Sequence, residues 1–327
     1  MSGFRWGILG TGGIANAFCA DIQRLNGHSV LAAGSRTYSK AVDFVKNIPN
    51  AIAYGSYEEL VNASHIDGVY VASPQTFHKA HTLLALNAGK AVLCEKPFSI
   101  SAIEAQEMID VAQKNNVALL EAMWTHYLPH IAKVREILAS GVLGPIQTVE
   151  ADHGQRLADQ NIPRLVDPAL GGGALLDLGI YPISFAHLVL GTPTKITASA
   201  IMSDHGVDAQ TSAIFDYASG AQAIINTTMI AQTPCRAVIS GLWGRLEIDS
   251  TFYRPADMRV VLFDGTVTQY PNTYLGHGLR EQAVEMARVV AAGELESPLM
   301  PWNQTIAVMK TMDEIRQQIG LRFPFEN

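Results

Sequence analysis

Trp6 to Leu9 is an apolar run that ends in Gly10-Thr11-Gly12-Gly13-Ile14-Ala15, after which Ile14, Phe18, Ile22 and Leu25 recur at helical spacing. A glycine-rich turn between a buried strand and an amphipathic helix constrains the chain more than any other feature, because it fixes both a βα unit and how closely its parts must pack. Gly10 permits the tight turn, Gly12 leaves room for a group to approach the backbone, and the small Ala15 lets helix and strand pack closely. The start of the helix offers free N–H groups and a positive dipole end, which suit a phosphate. Gly10, Thr11, Gly12, Gly13 and Ile14 are therefore candidate phosphate-binding residues of a dinucleotide site. A ligand-free glycine-rich turn would read the same in isolation; the strand–turn–helix setting is what the G-x-G-x-x-A motif requires.

The rhythm of the next hundred residues agrees. Strands are predicted near residues 30–33, 51–54, 68–72, 91–94 and 117–120, with helices between them. Ser56 with Glu59, and Ser101 with Glu104, have the spacing of capping boxes that open two of those helices. Strands alternating with helices imply a doubly wound parallel sheet with right-handed crossovers. The pattern changes near Glu121. Helices are predicted over about 128–140, 173–190 and 301–319. A long strand starts at Ile146, and after Gly191 come strands of period two joined by tight turns. The expected class is α/β, with residues 1–121 as a dinucleotide-binding domain. Residues 122–327 follow as an α+β domain with a large open, mostly antiparallel sheet, and the last helix is expected to pack back on the first domain.

A length of 327 residues suits two cores, and 48% hydrophobic against 16% charged residues excludes a disordered chain. A net charge of -7 argues against nucleic acid as the main partner. Cys19, Cys94 and Cys235 are far apart, so neither a zinc site nor a disulfide framework is indicated, and a reducing cytoplasm is the expected compartment. No membrane association is expected, because no apolar stretch reads as long enough to span a bilayer.

The end of the second strand selects the nucleotide. A site for NAD places an acid there to hold the ribose hydroxyls. Here the chain reads Ala33-Gly34-Ser35-Arg36-Thr37, without an acid. Ser35 and Thr37 can donate to a 2′-phosphate, Arg36 can add charge and stack on adenine, and Lys40 lies one helical turn beyond. NADP is therefore expected rather than NAD. The alternative is that Arg36 is an ordinary surface charge.

Two further segments carry chemistry. Cys94-Glu95-Lys96-Pro97 follows a parallel strand, at the end that faces the ligand crevice, which brings Lys96 toward a nicotinamide; Pro97 stiffens the turn and can take a cis bond. Gly171-Gly172-Gly173 opens a helix on which Asp177 and Tyr181 share a face. Alcohol oxidation needs a group that takes the hydroxyl proton, and a phenol can do so when a neighbouring ammonium lowers its pKa from about 10. Spacing alone leaves a second reading open, in which Tyr181 is a core aromatic and Asp177 a surface charge.

These residues together resemble the glucose–fructose oxidoreductase / inositol dehydrogenase / rhizopine catabolism (Gfo/Idh/MocA) family, over nearly the whole chain. Gly55-Ser56-Tyr57-Glu58-Glu59-Leu60, Ala91 to Pro97, Glu121-Ala122-Met123-Trp124-Thr125 and Leu176 to Tyr181 resemble the dimeric dihydrodiol dehydrogenase / NADP-linked D-xylose dehydrogenase branch more narrowly. The resemblance implies a Rossmann domain followed by an open sheet often used for dimers, with Lys96 as catalytic lysine and Tyr181 as general acid/base. Much of the wider family has histidine where Tyr181 stands, and the branch often has arginine where this chain has His126, which leaves the substrate open. Ser73-Pro74-Gln75 and His78 resemble the family's S-P-N-x-x-H segment and are expected, with Glu95, Lys96 and Pro97, to line the cofactor site. The alternative is that His78 only caps its helix. Trp124, His153 and Arg156 are candidate substrate contacts, and His187 is expected in the core or on a helix face.

The reading that follows is reversible hydride transfer between NADP and a hydroxyl-bearing carbon of a sugar, polyol or cyclic trans-diol. Asp177 positions the substrate or the tyrosine, no metal takes part, and the assembly is a homodimer or higher homo-oligomer. Two rivals are a redox-neutral, glycosidase-type relative on tightly held NAD, and an NADP-sensing protein without turnover.

Overall fold

The structure is a computed structural model that describes residues 3–160 and 162–326. It divides into two compact units. One comprises the residues up to Tyr127 with Leu275–Thr305, and the other Leu128–Tyr274 with the residues from Ile306 onward.

The first unit holds six strands: β1 (Phe4–Leu9), β2 (His28–Gly34), β3 (Ile52–Tyr54), β4 (Gly68–Val71), β5 (Ala91–Glu95) and β6 (Leu119–Ala122). All pair in parallel, in the order β3-β2-β1-β4-β5-β6. The order reverses between β1 and β4, and the crevice beyond their carboxyl ends is where open α/β sheets take ligands. Under the sheet Phe18 stacks on Tyr70 with ring centres 4.0 Å apart and meets Trp6 edge-on at 5.3 Å. Both serines at the expected capping boxes accept from the backbone three residues on, Ser56 Oγ from Glu59 at 3.1 Å and Ser101 Oγ from Glu104 at 3.3 Å. The two glutamates reach past the capping serine, to the N–H of Gly55 and of Ile100.

Residues 275–305 group with this first unit, although the sequence pattern placed everything after residue 121 in the second. A buried carboxylate is one of the ties that hold them there. Asp21, 3% exposed, accepts the backbone N–H of His277 at 3.1 Å, Gly278 at 2.9 Å and Leu279 at 2.8 Å. These bonds hold the entry to the helix Arg280–Ala292, and Leu119 N–H donates to Leu295 O at 2.9 Å where that segment passes β6.

The second unit is built on β7 (Ile146–Gly154), β8 (Lys195–Met202), β9 (Asp208–Asp216), β10 (Gln222–Thr228), β11 (Ala237–Gly241), β12 (Gly244–Ile248), β13 (Met258–Leu262) and β14 (Val267–Tyr270). Their order is β14-β13-β12-β11-β7-β10-β9-β8. Every pair is antiparallel except β7 with β10, which is parallel. Side chains alternate as a one-sided sheet requires. Val149, Ala151, Phe215, Ala223 and Ile225 are buried, and the helix Ile180–Leu190 packs against β7 and β10. Ile214 and Ile224 stay 44% and 45% exposed on the opposite face.

One expectation needs correction. The run Pro168–Leu190, with mean hydropathy 1.5 in its most apolar window, is long and apolar enough to cross a bilayer. It is 83% buried over that window, and its apolar character is that of a core helix. The last helix, Trp302–Ile319, begins in the first unit, where Trp302 Nε1 donates to Leu119 O at 2.8 Å, and continues in the second, where Gln318 bonds the backbone of Ile196 and Ala198.

Replacing Asp21 with Ala would leave two buried N–H groups and one half-buried one without their acceptor, a loss of about 3 kcal/mol in unfolding free energy. Urea denaturation of Asp21→Ala measures it, and a change below about 0.5 kcal/mol, the range of an ordinary surface substitution, would contradict the tie.

Candidate functional site

In the first unit the helix Gly13–Ile22 starts from Gly12 with no side chain capping it and no acid in its first turn. Its first N–H groups are those a helix cannot satisfy internally. A Cβ built on Gly12 or Gly13 meets nothing within 4 Å, so the space in front of them is open. Gly10 is constrained differently. Its φ is +98°, and a Cβ there would lie 2.9 Å from Ala72 O at the end of β4. Thr11 and Ile14 flank this turn, each half-buried. The turn thus has the uncapped donors and the clearance that a pyrophosphate needs.

Beside it β2 ends in a buried Ser35, whose Oγ accepts Thr37 N–H at 3.3 Å. Arg36, Thr37 and Lys40 are exposed. No acidic residue lies from Gly34 to Lys40. The arrangement fits a phosphorylated ribose better than a bare diol.

The ends of β4 and β5 are tied together by one side chain. His78, 1% exposed, sets Nδ1 2.8 Å from Pro97 O and Nε2 2.9 Å from Ser73 O. Burial lowers its pKa, with the two carbonyls opposing and the Lys96 charge adding to the shift. A neutral ring donates to one of these carbonyls at a time. His78 therefore links the Ser73-Pro74-Gln75 segment to the Glu95-Lys96-Pro97 turn and does not cap its helix, which starts from Phe77 with no side-chain cap. The Lys96–Pro97 bond is cis. Lys96 is half-buried. Behind it Glu95 accepts the Tyr70 hydroxyl and its own neighbour's N–H, from Lys96 at 3.2 Å. On β6 Glu121 accepts Thr305 Oγ1 at 2.7 Å. Trp124 is 4% exposed, with its ring 5.1 Å from that of His277. His126 is buried, with Nδ1 3.2 Å from Leu299 O.

In the second unit the expected helix over 173–190 is a π-helical turn, Leu175–Gly179, followed by the α-helix Ile180–Leu190. Such bulges gather at functional sites. The segment's start is held by Asp208 on β9, which accepts Leu175 N–H at 2.8 Å and Thr211 Oγ1 at 2.7 Å. Gly173 has φ +123°, and a Cβ there would stand 2.2 Å from Asp208 Oδ1, so only glycine fits. Asp177 is nearly buried, and its Oδ1 accepts Arg164 Nη1 at 2.8 Å. One turn on, Tyr181 stacks on Tyr253 with centres 4.5 Å apart and meets the His153 ring at 5.2 Å.

Gln155 orders these rings. Its amide nitrogen lies 2.8 Å from His153 Nε2 and 3.1 Å from the Tyr253 hydroxyl, and His153 Nδ1 lies 3.1 Å from Leu178 O. This sets Nδ1 as the protonated nitrogen of a neutral His153, with Nε2 accepting. Burial raises the Tyr253 phenol well above its ordinary value.

The structure thus brings His153 and Tyr181 together. Arg156 does not join them; it is exposed and pairs with Asp159 at 2.6 Å. His187 is a core histidine, 2.9 Å from Thr311 Oγ1, and burial lowers its pKa to about 4. Arg164, Gln155 and Tyr253 were not singled out from the sequence. Arg164 precedes its carboxylate partner by thirteen residues across an irregular loop. Tyr253 sits in a segment with no period to mark it. Among the described residues no three His, Cys, Asp or Glu side chains cluster as a metal site would.

An uncapped glycine turn at the switch point of a parallel sheet, with a lysine at the end of a neighbouring strand, defines a dinucleotide-binding protein with a second, sheet-based unit. The chain belongs to the GFO/IDH/MocA oxidoreductase family. Residues 4–123 match the oxidoreductase family with an NAD-binding Rossmann fold, and residues 131–247 match the GFO/IDH/MocA C-terminal domain. It is 35% identical to a D-xylose 1-dehydrogenase (NADP(+)) of Hypocrea jecorina, over 98% of this chain and 93% of that one. It is 34% identical to a trans-1,2-dihydrobenzene-1,2-diol dehydrogenase of Xenopus tropicalis, over 98% and 99% of the two chains. Among solved structures it is similar to a 3-ketoreductase from Actinomadura kijaniata bound to NADP and TDP-benzene, with TM-score 0.86, 25% identity, and coverage of 97% and 98%. These matches agree with the branch that the sequence motifs resemble.

Burial raises the Glu121 carboxyl to about 7 from an ordinary 4.5, against the Thr305 hydrogen bond and with the Glu95 charge adding to it. Between those values the folded protein holds a proton that the unfolded chain has lost, so this group's stabilising contribution is full at low pH and declines as pH rises toward 7. Replacing Glu121 with Gln removes the titration. Urea midpoints at pH 5 and pH 8 should then show a smaller alkaline loss in the variant than in the parent; an equal loss in both would contradict the assignment.

Proposed function

We propose that the protein catalyses reversible, NADP-linked hydride transfer at a hydroxyl-bearing carbon of a sugar, polyol or cyclic trans-diol. Full-length similarity to two dehydrogenases whose names specify such carbons carries the reading. The acid-free end of β2, with Arg36, Thr37 and Lys40 exposed, supports NADP as the cofactor. The same feature disfavours a redox-neutral cycle on tightly held NAD.

Gly10, Thr11, Gly12, Gly13 and Ile14 would hold the pyrophosphate, Ser35, Arg36, Thr37 and Lys40 the phosphorylated ribose, and Ser73, Pro74, Gln75, His78, Glu95, Lys96 and Pro97 the nicotinamide side. When bound, the dinucleotide supplies the hydride acceptor or donor. The chain's own residues handle the proton. Tyr181 takes the hydroxyl proton in oxidation and returns it in reduction, as a positioned phenol can. Lys96 is assigned to polarise the reacting oxygen, on the resemblance of its Glu95-Lys96-Pro97 motif to that of the family. Asp177, fixed by Arg164, orients the substrate or the tyrosine. Trp124 in the first unit and His153 in the second are each proposed as substrate contacts. Arg156, exposed and paired with Asp159, has the weakest claim among the candidate substrate contacts. Three widely spaced cysteines favour a reducing cytoplasm, and the partly apolar outer face of the eight-stranded sheet, with Ile214 and Ile224, is proposed as a homodimer surface.

The test follows absorbance of reduced cofactor with NADP⁺ and NAD⁺ over pentoses, hexoses, inositols and cyclic trans-diols. Turnover with NADP⁺ on at least one class is expected, and silence with both cofactors would favour a sensor without turnover. Lys96→Ala and Tyr181→Phe should each lower kcat by a factor of about 10² to 10⁴, the range of a lost acid–base group, and in Tyr181→Phe NADP affinity should change little. Full turnover in either variant would refute the assigned roles.

A further inference from the structure

Arg36 does not stand alone on the first unit. Its guanidinium lies over the Phe77 ring, 5.6 Å from the centre. Phe77 in turn stacks on His81, with centres 5.7 Å apart and planes 20° from parallel. His81 meets Tyr57 nearly edge-on at 4.6 Å. The circle closes where the Tyr57 phenol meets Arg36: burial raises that phenol's pKa, and the Arg36 charge and hydrogen bond act against the rise. Ser73 Oγ, 2.8 Å from His81 Nδ1, fixes the imidazole from the β4 side. Burial, with the charges of His78 and Arg36 adding to it, lowers the His81 pKa to about 4, while Glu58 opposes. His81 is therefore neutral at pH 7 and does not repel the guanidinium. Lys40, also exposed, lies four residues beyond Arg36.

We propose that Tyr57, Phe77 and His81 form a positioning box that holds the Arg36 guanidinium in place for the 2′-phosphate, and so sets the preference for the phosphorylated cofactor. The inference rests on the reading that NADP is the cofactor. An unrestrained arginine loses rotamer entropy on ordering. A guanidinium already stacked on one ring and lying beside a phenol loses less of it when a phosphate arrives. A cation over an aromatic face also keeps its in-plane N–H groups free for the two-point contact that phosphate offers. None of the three box residues needs to touch the cofactor for this to work. Their effect should appear in NADP affinity and be absent for NAD, which carries no 2′-phosphate for Arg36 to meet.

The experiment is direct binding of NADP⁺ and NAD⁺ by calorimetry to the full chain and to Tyr57→Phe, Phe77→Leu, Phe77→Tyr and Arg36→Ala. Tyr57→Phe and Phe77→Leu should each weaken NADP⁺ about five- to tenfold, the size expected for one hydrogen bond to a charged group or one cation–π contact. NAD⁺ affinity should stay within about twofold, and Phe77→Tyr, which restores an aromatic face, should bind NADP⁺ as the parent does. If Tyr57→Phe and Phe77→Leu keep the parent's NADP⁺/NAD⁺ ratio while Arg36→Ala loses it, the box is overturned and the cofactor reading stands. Equal weakening of both cofactors by the box variants would also overturn it, since that marks a general disturbance of the fold. If the parent chain itself does not prefer NADP⁺, the cofactor reading fails, and the box fails with it.

Discussion

The backbone at Gly10 passes so close to the end of β4 that a side chain there would lie 2.9 Å from Ala72 O, and the rest of the first unit is arranged around that approach. It holds the carboxyl end of β1 against that of β4 at the point where the strand order reverses. The crevice at such a point receives the helix N-terminus from one side and the turns after β4 and β5 from the other. The uncapped start of the helix Gly13–Ile22, the Ser73 segment and the Lys96 turn therefore converge without long loops. His78 then fixes the last two to each other through the carbonyls of Ser73 and Pro97.

Buried carboxylates do similar work elsewhere. Asp21 and Asp208 are placed where a backbone segment enters a packed element and would otherwise leave donors unsatisfied. Asp21 holds residues 277–279, and Asp208 holds the start of the π-helical turn that carries Asp177. Such groups cost desolvation, visible in the upward shift of Asp208 to about 7, which burial causes. What they give is position: a segment with three glycines, Gly171 to Gly173, acquires one conformation in front of the turn that bears Asp177, and the helix carrying Tyr181 continues from it.

Much of this could be read from the sequence where the relevant signal is local. The glycine turn, the alternation of strands and helices up to Leu120, the two capping serines, and the period-two strands at 196–200 and 213–217 all depend on neighbours in the chain. The acid-free Ser35-Arg36-Thr37 stretch and the Lys96-Pro97 turn are local too. What escaped reading is long-range. The return of residues 275–305 to the first unit depends on Asp21, more than 250 residues away. The partners of Asp177 and Tyr181, namely Arg164, Gln155 and Tyr253, come from irregular segments whose register no periodicity fixes. The π-helical turn at Leu175–Gly179 differs from an α-helix by one residue in the span of its hydrogen bonds, too little for an apolar pattern to reveal. Pro168–Leu190 shows the converse limit: its composition fits a membrane span as well as a core helix, and only burial separates the two.

The central claim is that hydride moves directly between a substrate carbon and the nicotinamide. An aldopentose deuterated at the carbon that bears the anomeric hydroxyl, incubated with NADP⁺ and the protein, tests it by mass spectrometry of the reduced cofactor. The account predicts one deuterium in each molecule of NADPH formed. NADPH that forms without the label would contradict direct transfer from that carbon.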